Sequence, residues 1–255
     1  MKKNCYIISS AMMSKTSPEN TNVRLFQTLH TTDSINARDK NADIFILDTG
    51  SGKVSGFSDK IWASNVKVFN WQDHKRVTEI DIEARIQAEA LSKIYTLRNG
   101  SDIEALKNFI WTGYVKNVTE GWTIQEFFNT HDLSGYDKVF KLSGRYSLGP
   151  NFDLNQYNNK CTFRSQGALT DGTTSIASTA WCFQGQYFNE FKTKWDSTIV
   201  FMLDAWSKGC IKDLESSIWN GFGMSEEERQ ITYVPFLGII GIVNTHDGKN
   251  LVVSQ

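Results

Sequence analysis

The chain has 255 residues, 40% of them hydrophobic and 13% aromatic, with 22% charged and a formal net charge of −1. That length and aromatic content suit a folded domain with a sizeable core and argue against disorder. Lys and Arg (27) nearly cancel Asp and Glu (28), which excludes a histone-like or polybasic character, and no uninterrupted apolar run approaches the ~20 residues of a membrane-spanning helix.

In chain order, residues 5–11 read as a short buried strand ending in Ser9-Ser10. Their apolar stretch is too interrupted for a signal peptide. Asn20 and Asn22 supply helix-start chemistry for a segment reaching Arg38, with Leu25, Phe26, Leu29 and Ile35 roughly on one face. Residues 42–48 (ADIFILD) form a strongly apolar strand closed by the loop signal Thr49-Gly50-Ser51-Gly52. Residues 66–70 are a third strand candidate. Residues 81–97 carry Ile82, Ile86, Ala90, Ile94 and Leu97 at i, i+4 spacing, an amphipathic helix stopped by Asn99-Gly100. A further helical piece covers 102–109.

Residues 138–146 (KVFKLSGRY) read as a strand running into a turn. Strands alternating with helices over the first ~150 residues predict a Rossmann-like, mostly parallel sheet flanked by helices. Beyond it, residues 151–186 are rich in Asn, Thr, Ser and Gly, which suits irregular strands and loops beside the main sheet. Residues 190–219 are helical in pattern, with Phe191, Trp195, Ile199, Met202 and Trp206 spaced for one face. Residues 235–244 (PFLGIIGIVN) are a last apolar strand. The expected organisation is one α/β domain over 1–255, with residues 1–150 as a ligand-binding half and 151–255 as an irregular second half.

Four cysteines (Cys5, Cys161, Cys182, Cys210) and four histidines (His30, His74, His131, His246) are scattered, with no CxxC and no zinc-like spacing. That pattern predicts reduced thiols, a cytoplasmic location and no His-based metal site. No GxGxxG follows the first strand, no GxxxxGK[ST] occurs, and no GxSxG elbow is present. Dinucleotide, P-loop and serine-hydrolase readings therefore lose their main support.

Parallel sheets bind ligands at the carboxyl ends of their strands, here Ser9-Ser10, Asp48-Thr49 and Ser143-Gly144-Arg145. The last is the most informative. It brings together a small hydroxyl donor, an open backbone and a guanidinium whose planar fork matches phosphate oxygens. A turn whose arginine pairs with a surface carboxylate is the competing reading. Trp181, Trp195, Trp206 and Trp219 could stack on a sugar or base, but aromatics at helical spacing are more often core.

The segment Phe140-Lys141-Leu142-Ser143-Gly144-Arg145-Tyr146, followed by Leu148 and Phe152, resembles the K-[IL]-SGRY-x-L segment of a family of small glycosyltransferase-like proteins. These occur in bacteriophages, large DNA viruses and bacterial surface-polysaccharide loci and are similar to the glycosyltransferase-A fold. The resemblance extends to residues 6–10, to the ADIFILD strand and to the late Leu237-Gly238…Gly241…Asp247-Gly248 pattern.

It implies a nucleotide-sugar donor, a UDP-sugar first, in the 1–150 half and an acceptor on the 151–255 side. Ser9, Ser10 and Asp48 would lie near base and ribose, and Lys141, Ser143, Gly144, Arg145 and Tyr146 near the diphosphate. Other members of the fold carry a metal-holding Asp-x-Asp where this chain has its SGRY turn. This chain has no Asp-x-Asp, so the expectation is transfer with no required cofactor, Arg145 and Lys141 neutralising the diphosphate in place of a divalent metal.

Asp213 and Glu215 are the candidates for a base that takes the acceptor's proton, with a solvated helix face as the competing reading. The acceptor would be a surface glycan or a hydroxymethylated or glycosylated base of phage DNA, the latter placing the protein in a host's cytoplasm. Two other functions compete. One is a non-catalytic nucleotide- or glycan-binding module of the same fold. The other is an unrelated Rossmann-like enzyme such as a methyltransferase, for which a glycine-rich first turn is lacking.

Overall fold

Strands β1 (Cys5–Ser10), β2 (Asp43–Asp48), β3 (Val66–Asn70) and β4 (Lys138–Ser143) lie parallel in the order β3-β2-β1-β4. This is a computed structural model, and it describes residues 2–11, 21–50, 61–99, 102–168, 174–223, 238–244 and 250–254. The sheet continues through β7 (Thr174–Gln184) to an edge strand β6 (Cys161–Ala168), both pairings antiparallel. A second, three-stranded antiparallel sheet joins β5 (Tyr146–Leu148), β8 (Ile239–Asn244) and β9 (Asn250–Ser254).

Five α-helices lie among the described residues: α1 (Thr21–Arg38), α2 (Lys75–Asn99), α3 (Ile103–Thr130), α4 (Phe188–Ser207) and α5 (Leu214–Gly221). The expected α/β architecture, a mostly parallel central sheet flanked by helices, is present. None of the described helices is long and apolar enough to cross a membrane.

The central strands form because both their faces are covered, which allows near-continuous apolar runs such as CYIISS and DIFILD. Side chains alternate between two cores. Ile7, Phe45, Leu47 and Val139 face a large aromatic cluster with α2, α3 and α4, while Tyr6, Ile8, Ile44, Ile46, Phe140 and Leu142 face a smaller one with Ile35 of α1. Tyr6 and Phe140 stack across the β1–β4 pair with ring centroids 4.8 Å apart.

At the amino ends of these strands polar groups are tied to one another. Asn4 Nδ2 donates to Asp39 at 2.7 Å, and Asn4 Oδ1 accepts from the Lys138 amide. The Tyr136 hydroxyl donates to Asp43 Oδ2 at 3.0 Å. Gly185 seals this end: its amide donates to the Asp137 carbonyl, and a Cβ there would fall 2.2 Å from the Tyr136 carbonyl oxygen.

Four expectations need correction. The irregular strands expected over 151–186 are present, but they do not lie beside the sheet: β7 pairs directly with β4 and β6 with β7, within it. The helical piece at 102–109 runs on to Thr130, opened by Asp102, whose side chain accepts from the Glu104 and Ala105 amides. Burial of Ile110, Tyr114, Val118, Ile124, Phe127 and Phe128 at helical spacing outweighs the helix cost of Gly113 and Gly121, about 1 kcal/mol each.

The 190–219 segment is two helices, broken at Gly209 with φ +78° and restarted by the Asp213 cap. In α2 the buried face is Val77, Ile80, Ala84, Ala88 and Leu91, whereas Ile82, Ile86 and Ile94 are exposed. The tryptophans do belong to the core. Trp181, Trp195 and Trp206 are buried, Trp219 packs against them, and the Trp195 indole donates to the Gly121 carbonyl at 3.1 Å. All four cysteines are free, and burial pushes the thiols of Cys5 and Cys182 up.

Candidate functional site

A cavity of about 380 Å³ opens at the carboxyl ends of β1, β2 and β4. Its floor is Ser9 and Ser10 at the end of β1 with Ala11 after them, Leu47 of β2 with Thr49 just beyond the strand, and Ser143-Gly144-Arg145 where β4 ends and turns. Its walls are Arg24 and Thr28 of α1, Val77 and Asp81 of α2, and one face of α3. Parallel strands put all three carboxyl ends on one edge, so residues far apart in sequence converge there.

The turn after β4 carries the chain from the main sheet into β5 of the small one. Gly144 donates its amide to the Ser9 carbonyl at 2.9 Å, and a Cβ there would come within 2.9 Å of Thr28 Oγ1. The glycine thus lets the end of β4 close on β1 and α1, and its amide is already engaged rather than open to an anion. Ser10 and Thr28 share a hydrogen bond of 3.2 Å beside it. Arg145 is half-buried at the cavity edge and has no ion pair among the described residues. Lys116 of α3, exposed on the opposite wall, has none either.

Three expected site residues stand elsewhere. Tyr146 is buried in β5, opposite Gly241, and packs into the smaller core. Asp48 is wholly buried at the end of β2 and accepts the Trp71 amide through its carbonyl at 2.9 Å. Lys141 has 0% exposure and does not line the cavity. Alternation along β4 points it under α3, where its ammonium donates to Glu120 Oε1 and to the Ser178 carbonyl. A lysine so enclosed is a counter-charge to Glu120, not an open diphosphate ligand. Ser51 to Lys53, the rest of the glycine-rich loop, lie outside the described residues.

Glu120 itself lines the cavity and takes a 2.9 Å hydrogen bond from the Ser9 hydroxyl. Burial would raise its carboxyl, but Lys141, helped by Lys116 and the Ser9 hydroxyl, outweighs that and holds it below the ordinary glutamate value. Its depressed value means the group stays ionised at neutral pH and loses its charge only as pH falls below the usual carboxylate range. On the far side of Lys141, Ser178 donates its hydroxyl to Glu215 Oε1 at 2.6 Å.

The Asp213–Glu215 segment is therefore tied into the fold. Asp213 caps α5, its carboxylate accepting from the Ser216 amide at 2.8 Å, and neither acid lines the cavity.

Sequence reasoning missed the α3 wall: Thr112, Lys116, Thr119, Glu120 and Thr123 share one helical face. The same i, i+4, i+7, i+8 spacing would have exposed this polar stripe had the helix been read past Phe109. Thr119 Oγ1 is buried and has no hydrogen-bond partner among the described residues. Of the two acids on the walls, Asp81 is engaged by Trp111 Nε1 (2.9 Å) and Arg85 Nε (3.2 Å), and Glu120 by Ser9 and Lys141. Among the described residues no group of three or more His, Cys, Asp and Glu could hold a metal ion. Two unpaired cations beside hydroxyls suit an anionic, hydroxylated ligand.

No protein-family model matches the sequence, and no curated protein matches it. Among solved structures, the chain is similar to a protein described as a transferase, at 11% identity, 94% coverage of this chain, 92% of the other and a TM-score of 0.47. It is also similar to the 4-diphosphocytidyl-2C-methyl-D-erythritol synthase of Anaerococcus prevotii (11% identity, 88% and 84% coverage, TM-score 0.43). Mouse xyloside xylosyltransferase 1 is a third such structure (6% identity, 91% and 84% coverage, TM-score 0.43). At these identities and scores the likeness lies in the path of the chain alone.

Proposed function

We propose that this protein is a glycosyltransferase that binds a nucleoside-diphosphate sugar, a UDP-sugar first, across the carboxyl ends of β1, β2 and β4. It passes the sugar to an acceptor hydroxyl. The observation that carries this reading is the meeting of Arg145 and Lys116, both without an ion pair among the described residues, with the hydroxyls of Ser9, Ser10 and Ser143 around one cavity. In the transfer the acceptor oxygen bonds to the anomeric carbon as the bond from that carbon to the diphosphate breaks. The acceptor's proton goes to a carboxylate, and the nucleoside diphosphate leaves. Arg145 meets the charge that develops on the leaving diphosphate, the role a divalent metal plays elsewhere.

Glu215, whose Oε1 accepts from the Ser178 hydroxyl outside the cavity, is the candidate for the carboxylate. Its replacement by Gln is expected to lower turnover by roughly 10²–10⁴ with donor affinity retained, and near-normal turnover retires it. The acceptor is a surface glycan or a modified base of phage DNA. A net charge near zero is compatible with the latter, because a groove-exposed base needs only a local basic rim.

A non-catalytic nucleotide- or glycan-binding module is the second reading. It is favoured by the placement of Asp213 and Glu215 outside the cavity. The test is release of nucleotide from a panel of nucleotide sugars in excess EDTA, with and without hydroxymethylcytosine DNA. Release from one donor establishes the transferase, and stimulation by the DNA names the acceptor. Strict dependence on Mn²⁺ would move the neutralising role from Arg145 to a metal. Tight nucleotide binding with no release from any donor would leave the binding module.

A further inference from the structure

Glu120 is the acid of the cavity that no motif announces. Its carboxylate spends one oxygen on the protein: Oε1 receives both the Ser9 hydroxyl and the Lys141 ammonium. Oε2 receives no hydrogen bond among the described residues, and the Glu120 side chain keeps 17% exposure. Beside it on α3, Thr119 lines the same cavity and is 6% exposed, and its buried hydroxyl has no hydrogen-bond partner among the described residues. Lys116 stands one turn before Glu120 on the same helix face.

Such a wall discriminates between ligand groups. A phosphate is repelled by a fixed carboxylate and drawn to Lys116 and Arg145. A hydroxyl is the complementary group, because an ionised carboxylate accepts short, strong hydrogen bonds from it. A proton-accepting role suits Glu120 poorly, because the Lys141 ammonium that holds it ionised also lowers its basicity.

We propose that Glu120, through Oε2 and with Thr119 beside it, is the residue that reads the hydroxyl groups of a sugar ring bound in the cavity. The inference rests on the nucleotide-sugar reading above and specifies its substrate class: a ribose, not deoxyribose, on the nucleotide, or a hydroxylated transferred sugar. Both rings offer the same chemistry, and the experiment separates them.

Isothermal titration of the full chain is carried out with UDP, GDP, CDP and ADP. The nucleotide that binds most tightly is then compared with its 2′-deoxy form and with its glucose conjugate. Two variants are measured in parallel, Glu120→Gln and the double variant Glu120→Gln/Lys141→Met. The second removes both buried charges together, so that no lysine is left without a counter-charge if the single variant fails to fold.

The wild type is expected to favour the ribonucleotide, or the conjugate, by about tenfold, the size of one hydrogen bond to a charged group. In a variant that still melts cooperatively, that preference should fall to within about twofold, while affinity for the less favoured probe changes less than about threefold. Loss of the ribose preference assigns the ribose to Glu120, and loss of the conjugate preference assigns the transferred sugar. A folded variant that keeps the wild-type preferences, or a wild type that has none, overturns the role of Glu120 while leaving the donor site standing. If the wild type binds no nucleoside diphosphate, the donor reading fails and this inference falls with it.

Discussion

The two ends of the central sheet are built from the same strands and do opposite things with their polar groups. At the amino ends, Asn4, Asp39, Asp43, Tyr136 and Lys138 are bound to one another, and Gly185 closes over them with no room for a methyl group. At the carboxyl ends, the Arg145 guanidinium and the Lys116 ammonium have no ion pair, and the Thr119 hydroxyl no hydrogen bond, among the described residues. Unspent hydrogen-bonding capacity in a partly enclosed place costs stability. Its concentration at one end separates the part of the sheet that holds the fold from the part that holds a ligand.

That separation can be broken by substitution. The largest effect is expected at the open end: Arg145→Ala should lower donor turnover by about 10³-fold, roughly 4 kcal/mol of transition-state stabilisation. Its melting temperature should stay within about 2 °C of wild type. A large fall in melting temperature instead would make Arg145 a structural residue.

Next comes the closed end. Gly185→Ala forces a Cβ to 2.2 Å from the Tyr136 carbonyl oxygen, and should cost about 3 kcal/mol, seen as a drop of roughly 6–12 °C. Nucleotide affinity of the folded protein should be unchanged. Equal losses of stability and affinity would show that the two ends are coupled.

Tyr136→Phe removes only the hydrogen bond to Asp43 and is expected to cost about 1 kcal/mol in chemical denaturation, again without effect on binding. The smallest effect sharpens the contrast from outside the sheet. Ile86 on α2 is 62% exposed, and Ile86→Lys should change stability by less than about 0.5 kcal/mol. A larger loss would mean that the exposed stripe of α2 is covered in solution.

This stripe also marks where sequence reading reached its limit. Helix α2 carries two apolar rows with the same period, one through Ile82, Ile86, Ala90 and Ile94, the other through Ile80, Ala84, Ala88 and Leu91. Periodicity detects both and cannot choose between them. The row with the smaller side chains is the one that packs, because α3 lies close against it.

The parallel strands were legible for a different reason. CYIISS and DIFILD are apolar on both faces, and only an interior strand has a use for that. The cavity floor followed from the strands, and Ser9, Ser10 and the Ser143–Arg145 turn all reach it. The α3 wall did not, since Glu120 owes its place to Lys141 and Ser9, partners supplied by tertiary packing and not by local spacing. Alternation puts Lys141 on the face of Arg145 only if the strand runs on regularly, and β4 ends at Ser143, so the two part and Lys141 lies under the helix.

The turn that carries Arg145 has a consequence for how the site comes into being during synthesis. Strand β4, before it, pairs with β1, made well before it, while β5, after it, pairs with residues 239–241, made almost a hundred residues later. A nascent chain can therefore lay down the parallel sheet well before β8 emerges from the ribosome to anchor the outgoing side of the turn. A growing chain that has made β4 but not β8 lacks the pairing that anchors the outgoing side of the arginine's turn.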